Sequence, residues 1–191
     1  MTIFERLNEM RGHGGPARTR GLTDDQITAF ASEDPRVEQA VADAHEAFTQ
    51  LLVDEPELLA LDEVRQAAKI QDGYVNFYAA DAVNPYVSLA AAGPWLVTMK
   101  GAVVYDAGGY GMIGAGHAPP DVLAAMSRKH VMANIMTPQI SQKKFTNSLR
   151  REIGHTRGEC PFARFLCMNS GSERMLYDRT PIIYWHQPTA D

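Results

Sequence analysis

The residues of this chain best suited by type and spacing to chemistry are Asn169-Ser170-Gly171-Ser172-Glu173. The apolar run Ala163-Arg164-Phe165-Leu166-Cys167-Met168 leads into them and reads as a buried strand. A strand that breaks into Ser-Gly-Ser and turns toward a helix presents unpaired backbone N–H groups at the positive end of the helix dipole. A phosphate is the ligand such a turn favours. The competing reading is a strand-to-helix turn with an ordinary serine cap. Ser172 as a hydrolytic nucleophile is disfavoured, because the glycine-serine-glycine elbow is missing.

Gly109-Tyr110-Gly111-Met112-Ile113-Gly114 spells a dinucleotide fingerprint, but the context fails. That fingerprint must open directly into a helix, whereas here Gly116, His117 and two prolines come first. A tight loop that lets backbone approach closely is the better reading. His117 has no second His, Cys or carboxylate at metal spacing, so a structural hydrogen bond is expected of it and no metal site is predicted. Asp106 reads as a residue of the turn at a strand end. Met112, Met126, Met132 and Met136 read as core or interface filling.

The elements that must position these residues follow from pattern. Residues up to about Arg20 are weakly patterned and read as a mobile arm. Thr23-Asp24-Asp25-Gln26 has the form of a capping box and opens a short helix. A longer helix starts at Asp34-Pro35, with Val37, Ala40, Val41, Ala44, Phe48, Leu51 and Leu52 on one face. Glu55-Pro56 interrupts it, and Leu58 to Ile70 predicts another helix. Tyr74 to Tyr78 and Trp95 to Tyr105 read as strand, with Lys100-Gly101 a turn inside the second stretch. Pro120 suits the first turn of a helix from Asp121 to about His130, and Ser141 to Ile153 offers one more. Strands among helices predict an α/β fold.

Bulk properties exclude several classes. The 191 residues can bury one sizeable core, or one domain plus an incomplete second. A net charge of -5 argues against a general nucleic-acid binder, though a local basic patch stays compatible with it. No stretch is long and apolar enough to cross a membrane, and the start lacks the layout of a secretory signal. Cys160 and Cys167 form neither a disulfide framework nor a metal set, which fits reduced thiols in the cytoplasm.

Taken together, two segments resemble the class III aminotransferases, pyridoxal phosphate-dependent enzymes of fold type I. The first is Lys100-Gly101-Ala102-Val103-Val104-Tyr105-Asp106 with Gly109, Gly111, Gly114, Gly116-His117 and Pro119. The second is Phe165-Leu166-Cys167-Met168-Asn169-Ser170-Gly171-Ser172-Glu173, and the resemblance spans about Tyr74 to Glu173. It implies that Ser170, Gly171 and Ser172 hold the cofactor phosphate. It also implies that the loop through Tyr110 and Gly111 borders the substrate side of the cofactor. The implied activity is transamination between an amino donor and a keto acid or aldehyde, by way of a Schiff-base lysine, in a homodimer. The implied domains are a helical extension over 1–72, the opening of the large cofactor domain over 73–173, and a divergent tail over 174–191.

The tail departs from the family. Arg174 to Thr180 is followed by Pro181, where the family continues a long alanine-rich helix. The five lysines, Lys69, Lys100, Lys129, Lys143 and Lys144, all precede the phosphate loop, so none stands in the catalytic place. The expectation is a fragment, through frameshift or truncation, whose Schiff-base lysine would lie beyond the end of this chain. Two other readings follow from the same residues. One is a non-catalytic protein that pairs with a full-length homologue through the face from Val37 to Leu52. The other is a small phosphate-ligand binder using Ser170 to Ser172.

Overall fold

The computed structural model describes residues 1–75, 79, 82–107, 114–131, 133 and 136–165. The chain forms two compact units, Met1–Arg128 and a second that begins at Lys129. Among the described residues of the first unit five helices precede a small sheet: α1 (Ile3–Arg11), α2 (Asp24–Glu33), α3 (Arg36–Asp54), α4 (Pro56–Ala60) and α5 (Glu63–Gln71). The strands β1 (Ser88–Ala92), β2 (Trp95–Thr98) and β3 (Val103–Tyr105) follow, then helix α6 (Pro120–Met126). The second unit contains α7 (Ile140–Gly154).

The sheet is an antiparallel meander in the order β1-β2-β3. Its connections are too short to return a parallel strand, which needs a crossover of a dozen residues or more. Helix and sheet are therefore both present, but the described strands do not alternate with helices. Gly93 (φ +56) turns β1 into β2. Gly101 (φ +69) makes the second turn, where its N–H donates to the Thr98 carbonyl at 2.9 Å. The turn expected at Lys100-Gly101 is thus observed.

Helix α3 is the centre of the first unit. Val37, Ala40, Val41, Ala44 and Phe48 recur at helical spacing and are all buried. They pack against α1, α2 and the β1–β2 hairpin, joining Leu7, Met10, Ile27, Trp95, Val97 and Val103 in one core. Of the face expected from Val37 to Leu52, the residues through Phe48 are covered by the chain itself, and Leu51 and Leu52 are partly buried.

Five expectations change. The mobile arm contains α1, closed by a reciprocal capping box in which Thr2 and Glu5 each accept the other's backbone N–H, and Leu7 and Met10 are fully buried. The helix expected over Leu58 to Ile70 is two, because the Asp62 carboxylate takes the Arg65 N–H at 2.9 Å and starts α5 afresh. Helix α6 ends at Met126, short of His130, where the Ser127 hydroxyl and N–H both turn back to the Leu123 carbonyl. Tyr74 and Val75 are exposed and outside any strand, and so are Ala163 and Arg164. Arg150 donates instead to the Ala163 carbonyl at 2.9 Å, and its guanidinium sits 5.9 Å from the Phe165 ring centre. The remainder of those two expected strands, 76–78 and 166–168, lies outside the described residues.

Candidate functional site

The glycine segment after β3 is fixed at both of its ends. At the near end the Asp106 N–H donates to the Pro94 carbonyl at 2.7 Å. At the far end His117 and Gly93 form an antiparallel bridge, exchanging N–H···O bonds of 2.7 and 2.9 Å. The side chains close the same gap, since His117 Nε2 lies 3.1 Å from Asp106 Oδ2. So both ends of an eleven-residue separation are tied to the β1–β2 turn, Gly93-Pro94. The bridge requires glycine: a Cβ on Gly116 (φ +77) would sit 2.9 Å from Gly93 Cα. Ala118, the next residue after His117, carries φ 47, a left-handed conformation that costs a non-glycine residue about 1 kcal/mol.

A cleft of about 280 Å³ lies beside this bridge. One wall is the first two turns of α3, where Arg36, Gln39 and Asp43 share a face; the other is Gly93 and His117 to Pro120. Asp34 anchors the α3 wall. It accepts from the Trp95 indole N–H at 2.7 Å, from the Arg36 backbone N–H at 3.0 Å, and from the Arg36 guanidinium at 2.8 Å. The guanidinium bond, with help from Trp95 and against the opposing effect of burial, holds the Asp34 carboxyl far below the usual carboxylate range. Tyr86 is pushed up by burial and then by the Asp106 charge, so that phenol stays neutral and able to donate. Trp95 also packs edge-on against Tyr105, with ring centres 5.1 Å apart.

Lys100 lies elsewhere in the same unit and is only 2% exposed. Its ammonium donates to the His13 carbonyl at 3.1 Å and the Leu59 carbonyl at 3.3 Å. Burial lowers its pKa, partly offset by the charges of Asp62 and Glu63. The buried Glu63 carboxylate takes the backbone N–H groups of Arg18 and Thr19, each at 2.6 Å. These contacts fasten the segment between α1 and α2 onto α5. Nothing in the local sequence marks Lys100 or Glu63 for burial, because their partners are backbone groups 41 to 87 residues away.

Of the residues singled out by sequence, Asp106 and His117 are brought together, and His117 makes the structural hydrogen bond expected of it. Ser170, Gly171, Ser172, Tyr110 and Gly111 lie outside the described residues. Among the described residues no group of three or more His, Cys, Asp or Glu side chains gathers as a metal site. No described helix is long and apolar enough to cross a membrane. No protein-family model, curated protein or solved structure matches this chain.

Proposed function

We propose that this chain carries the N-terminal segment and the start of the large cofactor domain of a class III aminotransferase. It would be a fold-type-I enzyme dependent on pyridoxal 5'-phosphate and acting as a homodimer in the cytoplasm. The reading rests on the paired motifs, Lys100 to Pro119 and Phe165 to Glu173, in that order and at that separation. One structural observation supports it: the double tie of Asp106 and His117 to Gly93-Pro94. A loop that borders a cofactor must hold its position within a fraction of an ångström, and that demands a fixed base.

The donor set suits the cofactor's phosphate, with two hydroxyls on Ser170 and Ser172 and successive backbone N–H groups around Gly171. When bound, the cofactor supplies an electron sink for charge developing on an amino donor. This chain's own part is to bind the phosphate and to present the glycine loop to the donor and to a keto acid or aldehyde acceptor. Lys100 has no part in the chemistry, because its ammonium is buried and held by two carbonyls. The other four lysines precede the phosphate loop, so none of the five stands in the place of the Schiff-base lysine.

The test is a thermal-shift titration with pyridoxal 5'-phosphate, using pyridoxal as the control that lacks the phosphate. Stabilisation at a hundredfold excess over Kd should approach about 2.7 kcal/mol for the phosphorylated form and vanish for pyridoxal. A Ser170→Ala, Ser172→Ala double variant should lose most of it. Equal response to both compounds, or to neither, sinks the proposal.

A further inference from the structure

The polar cluster under residues 12–20 is incomplete as a set of protein groups. Among the described residues three buried oxygens have no hydrogen-bond partner: Thr19 Oγ1, Glu63 Oε1 and Gln66 Oε1. Glu63 is 1% exposed and Gln66 is fully buried. The three belong to one neighbourhood. Glu63 binds the Thr19 backbone through its other oxygen, and Gln66 follows Glu63 by one turn on α5. The Gln66 amide donates to the carbonyls of Leu58 and Leu59, and Lys100 reaches that same Leu59 carbonyl. An ammonium has three N–H donors, and the described partners of Lys100 account for two of them.

Buried polar atoms are nearly always satisfied, and leaving one unpaired costs about 1–3 kcal/mol. Two unpaired acceptors, Glu63 Oε1 and Gln66 Oε1, beside two groups that can donate, the Thr19 hydroxyl and the Lys100 ammonium, call for a small occupant that both donates and accepts. A metal cation is disfavoured, because the Lys100 ammonium already supplies the positive charge there. Water fits: it offers two donors and two acceptors, and buried waters typically make about three hydrogen bonds. We propose that one internal water is bound between Glu63, Gln66 and Thr19, with Lys100 donating to it, as a permanent part of the contact between residues 12–20 and α5. The water site is independent of the cofactor reading. It assigns Lys100 and Glu63 the task of ordering a polar seat rather than of catalysis.

The experiment is water–protein NOE and ROE spectroscopy on the full, uniformly 15N-labelled chain, beside its Thr19→Val variant. A long-lived water should give same-sign NOE cross-peaks, with residence beyond a nanosecond, to the Gln66 side-chain amide and the Thr19 backbone N–H. The Thr19 hydroxyl itself exchanges with solvent and relays such peaks, and the variant removes it while leaving the backbone bonds to Glu63 in place. The Gln66 peak persisting in Thr19→Val supports a bound water. Its disappearance in the variant, or its absence in the parent chain while the Arg18 and Thr19 amides remain protected from exchange, overturns the proposal.

Discussion

Helices α3 and α6 belong to the same compact unit and are both rich in apolar side chains, yet they stand in opposite relations to the core. Five side chains of α3 are buried, and Phe48 is 1% exposed. No residue of α6 is buried; Leu123 is 50% exposed and Met126 72%. Helix α6 has seven residues, far below the ~12–15 at which an isolated helix becomes even marginal in water. What orders it comes from before its first turn. Pro119 and Pro120 preset the backbone, and the His117–Gly93 bridge ties the entry to the sheet. Burial holds one helix, and covalent neighbours with a two-bond bridge hold the other.

The largest effect should separate the two helices outright. Phe48→Ala removes a fully enclosed ring that packs edge-on against His13 in the core, and should cost about 3–5 kcal/mol in urea unfolding. Leu123→Ala on α6 should stay within about 0.5 kcal/mol of the parent chain. A loss of more than about 2 kcal/mol at Leu123 would break the contrast, by showing that α6 has a covered face in solution.

The same contrast explains what was legible in the sequence. The face from Val37 to Phe48 is visible by period alone, since helical spacing and burial report the same thing. The box at Thr23 is equally plain, with Gln26 three residues on. The box at Thr2 has the same form with Glu5, but glycines at 12, 14 and 15 follow closely and mimic a loose arm. Those residues are held by long-range bonds from Glu63 and Lys100 to backbone, and no local pattern records such bonds. At the candidate site, His117 was legible as a hydrogen-bonding residue and Asp106 as a strand end. Their pairing was not, because it depends on the β1–β2 turn meeting both ends of the glycine segment.

A second prediction sharpens the anchored side. Asp34 ties α3 to β2 through the Trp95 indole, with the carboxyl held well below its ordinary range. A depressed folded-state pKa adds stability above the unfolded value of about 3.9, and that stability is lost as pH falls through the folded value. The parent chain should therefore lose stability steadily below about pH 4, and Asp34→Asn should flatten that part of the profile. At neutral pH the variant should be about 2 kcal/mol less stable, mostly from the shielded Trp95 bond. The Arg36 side chain is more than half exposed and adds less. Parallel pH profiles for parent and variant would remove Asp34 from the account of how α3 is fixed to the sheet.

The smallest effect belongs at the boundary between the two helices. Gly116→Ala forces a Cβ to within 2.9 Å of Gly93 Cα and places alanine at φ +77. The strain is about 1–2 kcal/mol, and the bridge is the part least able to absorb it. No core side chain is involved, so the cost should appear as local opening rather than global unfolding. Hydrogen exchange at the Gly93 and His117 amides should accelerate about 5- to 30-fold. The Thr98 amide, bonded to the Ala102 carbonyl inside the β2–β3 hairpin, should keep its protection. If Thr98 accelerates in step with His117, the bridge and the core open as one cooperative unit. Helix α6 would then share the stability of α3 despite burying nothing of its own.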